Sequence, residues 1–260
     1  MRLSISDTKK KQLFVSLFQV LRSCSSAITI FFHPEKMYIQ GMDASHVCLF
    51  DMTMLSGWFD TYELGQDTSI TVSVYSTFFH TILSMVQEQQ TIFIEYQEDS
   101  DVILIQLIAN VEETKGDFNK FFTLPLLDID NNLLDIPLVE YDAEFTILAK
   151  KMGELVSQLS NFGNVINIKC NEEAIHVGTK GIGGEMIVHI PMDDLSEFSI
   201  SEGDELCMSY SLHYIHKMCV TTKLSADIHF SISHEYPLKI HYDLGNESFI
   251  AFYMAPKIDD

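Results

Sequence analysis

The chain has 260 residues, 47% of them hydrophobic and 20% charged, with a formal net charge of −21. That length suits one large or two medium domains and buries enough surface to fold without disulfide or metal staples. No apolar run reaches the roughly 20 residues that span a bilayer, and five scattered cysteines without a CxxC pair argue against a disulfide framework or a zinc module.

The first residues lack the apolar core of a signal peptide, so the expectation is a soluble, intracellular protein with buried, reduced thiols. Such a negative charge speaks against nucleic acid if read as a sum. Its distribution matters more. Lys9, Lys10, Lys11, Arg22, Lys150, Lys151 and Lys217 fall on stretches with helical periodicity, while strands and loops carry most of the 37 acids.

In chain order, Leu3-Ser4-Ile5 starts a short strand. Asp7 or Thr8 can cap a helix in which Leu13, Phe14, Leu17, Phe18 and Leu21 share a face, ending near Ser23. Strands are expected at 27–32, 36–41, 46–55 and 57–63, with Ser69–Ser73 extended. Met37 to Leu49 reads as strand, turn and strand, with Gly41 and Asp43 as turn residues. Thr77–Gln87 predicts a second helix. Thr91–Tyr96 and Val102–Ile108 form a hairpin across the acidic turn 97–101, and Phe118–Leu126 is a further strand.

Asp128 to Pro137 has no clean period and is rich in acids and turn formers, which reads as a connector. The expected organisation is a first domain over 1–125, a connector over 126–141 and a second domain over 142–260. The second half repeats the first. Thr91–Tyr96 corresponds to Asp227–Ile232, Val102–Ile105 to Leu238–His241 and Phe78–His80 to Tyr214–His216, all at an offset of 136; Ile39–Gly41 corresponds to His176–Gly178 at 137. Elements kept in register indicate a duplicated domain. The second copy has its own expected helices at 145–160 and 209–221. The alternation in Leu238–Leu244 fits an antiparallel sheet with one wet face.

Catalytic chemistry finds little footing. His213 and His216, with His229, His234 and His241, show no metal-ligand spacing, and surface histidines are the better account. Asp128 and Asp130 lie in the connector without a second carboxylate pair. The glycine-rich Gly178–Glu185 lacks the phosphate-cradle spacing and reads as a hairpin loop. No cofactor, metal or catalytic residue is expected.

Met42-Asp43-Ala44-Ser45-His46-Val47 and the terminal Ala255-Pro256-Lys257-Ile258 closely resemble signature segments of the proliferating cell nuclear antigen family of DNA sliding clamps. Gly57–Tyr62, Leu127–Asp130 with Ile136-Pro137, and Gln158–Gly163 are similar as well, so the likeness spans nearly the whole chain. It implies an α+β clamp fold: two similar domains with antiparallel sheets outside and two helices each inside, three subunits closing a ring around duplex DNA. It implies a processivity factor without catalysis of its own. The partners would be DNA polymerase and other proteins bearing clamp-binding peptides, an ATP-dependent clamp loader and two further copies, with no membrane. The setting would be the nucleus, or a viral replication compartment.

By the same resemblance, Lys9, Lys10, Lys11, Lys150, Lys151, His213 and Lys217 face DNA. A peptide pocket comprises Met42, His46, Val47, Leu49, Leu134, Ile136, Pro137, Pro237, Tyr253, Ala255, Pro256 and Ile258. Phe118, Phe121 and Phe122 meet Glu185, Ile187 and His189 across the subunit boundary. The sequence departs from the family in its helix charges: Thr81, Ser84, Glu154 and Ser157 stand where cations are usual, and His213 replaces a basic residue. Rival readings are a subunit of a heterotrimeric checkpoint clamp, an acidic peptide-binding scaffold without DNA binding, and a metal-dependent hydrolase using the C-terminal histidines.

Overall fold

The computed structural model describes residues 1–65, 69–110, 118–130, 132–219, 221 and 223–257. In chain order the elements are Arg2–Ile5 (β1), Thr8–Cys24 (α1), Ala27–His33 (β2), Lys36–Met42 (β3), Cys48–Leu55 (β4), Thr61–Glu63 (β5), Ile70–Tyr75 (β6), Ser76–Leu83 (α2), Gln90–Glu95 (β7), Val102–Ala109 (β8) and Lys120–Pro125 (β9). The second half follows with Ala143–Leu148 (β10), Ala149–Leu159 (α3), Val165–Cys170 (β11), Ile175–Gly181 (β12), Gly184–Ile190 (β13), Leu195–Ile200 (β14), Leu206–Ser211 (β15), Leu212–Cys219 (α4), Asp227–Ile232 (β16), Leu238–Gly245 (β17) and Ser248–Met254 (β18).

These elements form two compact units. One comprises Met1–Gly41, Asp51–Leu133 and Leu244–Phe249; the other comprises Met42–Phe50, Leu134–Asp243 and Ile250–Asp260. The duplication is visible in the topology. Among the described residues each half has nine strands, with a helix after the first and the sixth. The strand order β5-β1-β7-β8-β9 of the first half recurs as β14-β10-β16-β17-β18, and β4-β3-β2-β6 recurs as β13-β12-β11-β15. The fold is the expected α+β arrangement of repeated antiparallel sheets and four helices.

In the first unit, α1 starts where Asp7 Oδ1 accepts from Lys10 N at 2.9 Å. Phe14, Leu17, Phe18 and Leu21 recur every three to four residues and are fully buried. Phe18 meets Phe79 of α2 at 4.6 Å between ring centres. In the second unit, Met152, Val156 and Leu159 of α3 and Ile215 and Met218 of α4 supply the buried faces. Burial of each such side chain stabilises by about 1.5–3 kcal/mol.

Several expected boundaries shift for local reasons. Residues 143–148 are a strand, not the first turn of a helix: Ala143, Phe145 and Ile147 alternate into the core, and Phe145 stacks on Phe230 at 4.9 Å. Leu148, within the span expected to be helical, is the exposed last residue of that strand. Residues 206–211 are likewise a strand, with α4 confined to Leu212–Cys219. The expected strand 57–63 is a short 3-10 turn, Ser56–Trp58, followed by β5. Its cause is Trp58, which is buried and donates its indole N–H to Leu244 O at 3.0 Å. Four cysteines are buried as expected, but Cys207 is exposed on β15.

The glycine-rich stretch is the tight hairpin between β12 and β13, with Gly181 opposite Gly184. A Cβ on Gly181 would overlap the Phe162 carbonyl oxygen and stand 3.2 Å from its carbon, while one on Gly183 would meet nothing. Backbone cannot rotate away as a side chain can. Gly181→Ala is therefore expected to cost about 3 kcal/mol, and Gly183→Ala well under 1. Urea titrations of the two variants check this; equal midpoints would contradict the packing.

Candidate functional site

The Met42–Phe50 segment of the second unit is built around one carboxylate. Asp43 N donates to Cys48 O at 2.9 Å and His46 N donates to Asp43 O at 3.0 Å, which closes a turn with His46 at φ 54. The Asp43 side chain then fills the turn. Oδ1 accepts from Val47 N at 2.8 Å and Cys48 N at 2.7 Å; Oδ2 accepts from Ser45 N at 2.8 Å and from the Tyr214 hydroxyl of α4 at 2.7 Å. Burial alone would favour the neutral acid. The donors from Cys48, Tyr214, Ser45 and Val47 outweigh it and hold the carboxyl at about 2. The loop is thus pinned at its base.

What the pinned loop presents is apolar and accessible. Met42, Val47 and Leu49 are half-buried and His46 is exposed. Ala255 N donates to Val47 O at 3.2 Å, so the chain's terminal segment runs beside the loop, and Lys257 N continues onto Ser209 O at 2.7 Å. Tyr253 and Pro256 are half-buried, Ala255 and Pro237 exposed. Tyr236, next to Pro237, meets Tyr141 at 6.5 Å, and Tyr141 is pushed up to about 12 by burial and by Tyr253 and Glu144 nearby. Of the connector residues, Ile136 is half-buried while Leu134 and Pro137 are exposed. Ile258 lies outside the described residues.

The expected DNA-facing set divides. Lys9, on α1, is exposed. Lys10 is half-buried, its ammonium donating to Trp58 O at 2.5 Å and lying 5.4 Å from the indole centre. Lys11 departs from the expectation altogether. It is 2% exposed, and its ammonium donates to Glu88 O at 2.6 Å and Gln90 O at 2.5 Å, with Gln87 O at 3.3 Å. It is a pin for the turn after α2, not a cation for a ligand. Arg22, left out of the expected set, is exposed in the last turn of α1. On the second unit Lys150 is exposed, and Lys151 is exposed but paired with Asp194 at 2.6 Å. Such a solvent-exposed pair contributes little and leaves the lysine free to swing. His213 is exposed, and Lys217 is half-buried with its ammonium 5.3 Å from the Tyr214 ring centre.

Two sheet edges are long and apolar. β9 ends the order β5-β1-β7-β8-β9, and β13 ends the order β13-β12-β11-β15. Phe118 just before β9 is 77% exposed, Phe121 is 69% exposed, and Phe122 points the other way, half-buried. On β13, Ile187 is 57% exposed, and Glu185 and His189 are exposed on the same alternation. Other edges are protected. Leu127 N donates to Ser73 O of β6 at 2.8 Å, Lys257 N covers β15, β5 is three residues long, and β14 carries a central Glu197 and a bulge.

Two family models account for the chain almost end to end: that of the proliferating cell nuclear antigen N-terminal domain matches residues 6–133, and that of its C-terminal domain matches 135–257. The chain belongs to the proliferating cell nuclear antigen family. Similar proteins include proliferating cell nuclear antigen 2 of Plasmodium falciparum, 26% identical over 258 residues, which covers 96% of this chain and 97% of that protein. The proliferating cell nuclear antigens of Chaetomium thermophilum and Caenorhabditis elegans are 28% and 27% identical over 227 and 229 residues, covering 85% and 86% of this chain and 85% of each relative. As a member of the proliferating cell nuclear antigen family the chain is a DNA sliding clamp, a polymerase processivity factor whose partners are DNA and replication and repair proteins.

Proposed function

We propose that the clamp is a closed homotrimer, placed on DNA by an ATP-dependent loader and working in the nucleus without catalysis of its own. The observation that carries the ring is the pair of unprotected apolar edges. β9 and β18 occupy equivalent places in the two halves, as do β13 and β4. Within the second unit the β4 residues Cys48–Phe50 lie next to β18. The equivalent partner for β9 is a β13 from another copy. A contact of that kind is head-to-tail, and a head-to-tail contact that closes makes a ring. Phe118 and Phe121 then cover Ile187, with Glu185 and His189 at the seam.

In that ring the DNA contacts fall to Lys9, Lys10, Arg22, Lys150, Lys151, His213 and Lys217. They are few, and non-specific phosphate contacts of this kind weaken steeply with salt. Retention would come from encirclement, and the acidic remainder of each chain would repel other DNA. The test is mass by light scattering at micromolar concentration. Three times the 29.7 kDa chain mass supports the ring, and a stable monomer overturns it.

The pinned loop, the terminal segment and the connector would form the pocket for partner peptides. Met42, His46, Val47, Leu49, Leu134, Ile136, Pro137, Pro237, Tyr253, Ala255, Pro256 and Ile258 would receive a short helical turn with aliphatic and aromatic anchors. Replacing Ile136 and Pro137 by Ala is expected to weaken a partner peptide at least tenfold while the trimer mass is unchanged. Fluorescence anisotropy with a labelled peptide reads the change; identical titrations would remove the connector from the pocket.

A further inference from the structure

One cluster in the second unit lies outside the residues assigned above to DNA, peptide and subunit contacts. His229 on β16 and His241 on β17 are directly opposed in the antiparallel register, so both rings rise from one face of the sheet. Their centres are 5.7 Å apart with the planes at 66°. Beside His229, Thr146 Oγ1 on β10 lies 2.7 Å from His229 Nδ1 and donates to Glu197 Oε2 on β14 at 3.2 Å. A hydroxyl has one proton, and an ionised carboxylate can only accept. The Thr146 proton therefore goes to Glu197, and the Thr146 oxygen accepts from His229 Nδ1–H. That chain fixes the tautomer and leaves the lone pair on His229 Nε2.

We propose that His229 Nε2 and a ring nitrogen of His241 chelate a borderline-soft divalent cation of the Zn2+ class. A carboxylate backing an imidazole through its other nitrogen is the arrangement that orients a metal-ligating histidine and raises its basicity. Here a threonine hydroxyl relays it. Spacing agrees as well. Two imidazoles on one tetrahedral zinc, each nitrogen about 2.0–2.1 Å from the metal, have ring centres roughly 5 Å apart. The second opposed pair, His176 and His189, stands edge-on at 4.2 Å, too close to share an ion without rotating apart. Glu197, 4.0 Å from His229 Nδ1, adds negative potential on one side of the pair, and on the other Asp243 offsets part of the Lys239 charge at His241. Among the described residues no three His, Cys, Asp or Glu side chains form a ready-made cage. Water would therefore complete the coordination, and binding would be moderate. The site is independent of the ring.

The test is a calorimetric titration of the untagged full chain with ZnCl2. One Zn2+ per chain in the micromolar range is expected. His229→Gln and His241→Gln should each weaken it at least tenfold, and His176→Gln should leave it unchanged. Thr146→Val keeps both ligands but removes the relay, and should weaken binding about tenfold. Circular dichroism confirms that each variant is folded. Absence of saturable binding in the wild type, or binding retained in the His229→Gln/His241→Gln double variant, would overturn the proposal.

Discussion

Phe121→Asp is expected to turn the clamp into a folded monomer. Phe121 is a large side chain left 69% exposed on a strand whose outer edge has no partner among the described residues. A ring seam would bury it against the Ile187 face of another copy. A carboxylate there would forfeit the burial of an aromatic, about 2–3 kcal/mol. It would also desolvate a charge next to Glu185, a like charge on the facing edge, which adds a further cost of several kcal/mol. In the proposed ring the loss recurs at each seam. Within one chain the substitution touches little, and the thermal midpoint of the monomer should stay within a few degrees of a Phe121→Ala control. Light scattering reads the mass, and polymerase extension on a primed circle reads the function. A variant that keeps the full ring mass would remove β9 from the interface.

Asp43→Ala should have the second large effect. Asp43 is 6% exposed and satisfies three backbone N–H groups and the Tyr214 hydroxyl. Without the carboxylate those donors lose their acceptor, and the buried Cys48 N–H has no water to replace it. The expected loss is about 2–4 kcal/mol of stability, with peptide affinity falling more than tenfold as the loop relaxes. Tyr214→Phe removes one donor and should cost about 1 kcal/mol. The pH dependence has a definite sign. The carboxyl is held at about 2, below its ordinary 3.8. Its contribution is therefore full above the unfolded value, near pH 4, and is lost as pH falls through about 2. The stability gap between wild type and Asp43→Ala should narrow over that window in acid titrations. A gap independent of pH would mean that the loop is held by something other than this charge.

Much of the architecture was legible because sheets announce themselves by alternation. The 136-residue offset between halves survives as identical strand order. Where the reading failed, two periods overlapped. Ala143–Leu148 alternates as a strand, but Leu148, Met152, Leu155, Val156 and Leu159 also fit a helical face, so the expected helix runs one element too long. β14 gave no separate signal, since Leu195-Ser196-Glu197-Phe198-Ser199-Ile200 is short and lies beside the acidic turn at Asp193–Asp194.

The site residues were legible as types, not as roles. Lys9, Lys10 and Lys11 are alike in type. Spacing to Phe14 and Phe18 puts Lys11 on the buried stripe, but only the fold shows that its ammonium closes a turn 76 to 79 residues away. Asp43 was legible as a turn residue from its type and its place near Gly41. Its tie to Tyr214, 171 residues on, was not. Arg22 carried a signal that could have been used: three residues after Gln19 and ten after Gln12, it sits at the edge of the exposed side of α1.

The account stands on encirclement, and one measurement addresses it. Clamp is loaded onto a nicked circular DNA with a loader and ATP, washed at high salt, and the DNA is then cut once. The account predicts that the protein stays with the circle through the wash and slides off the linear product. Protein that washes off the circle, or that stays on the linear DNA, would contradict it.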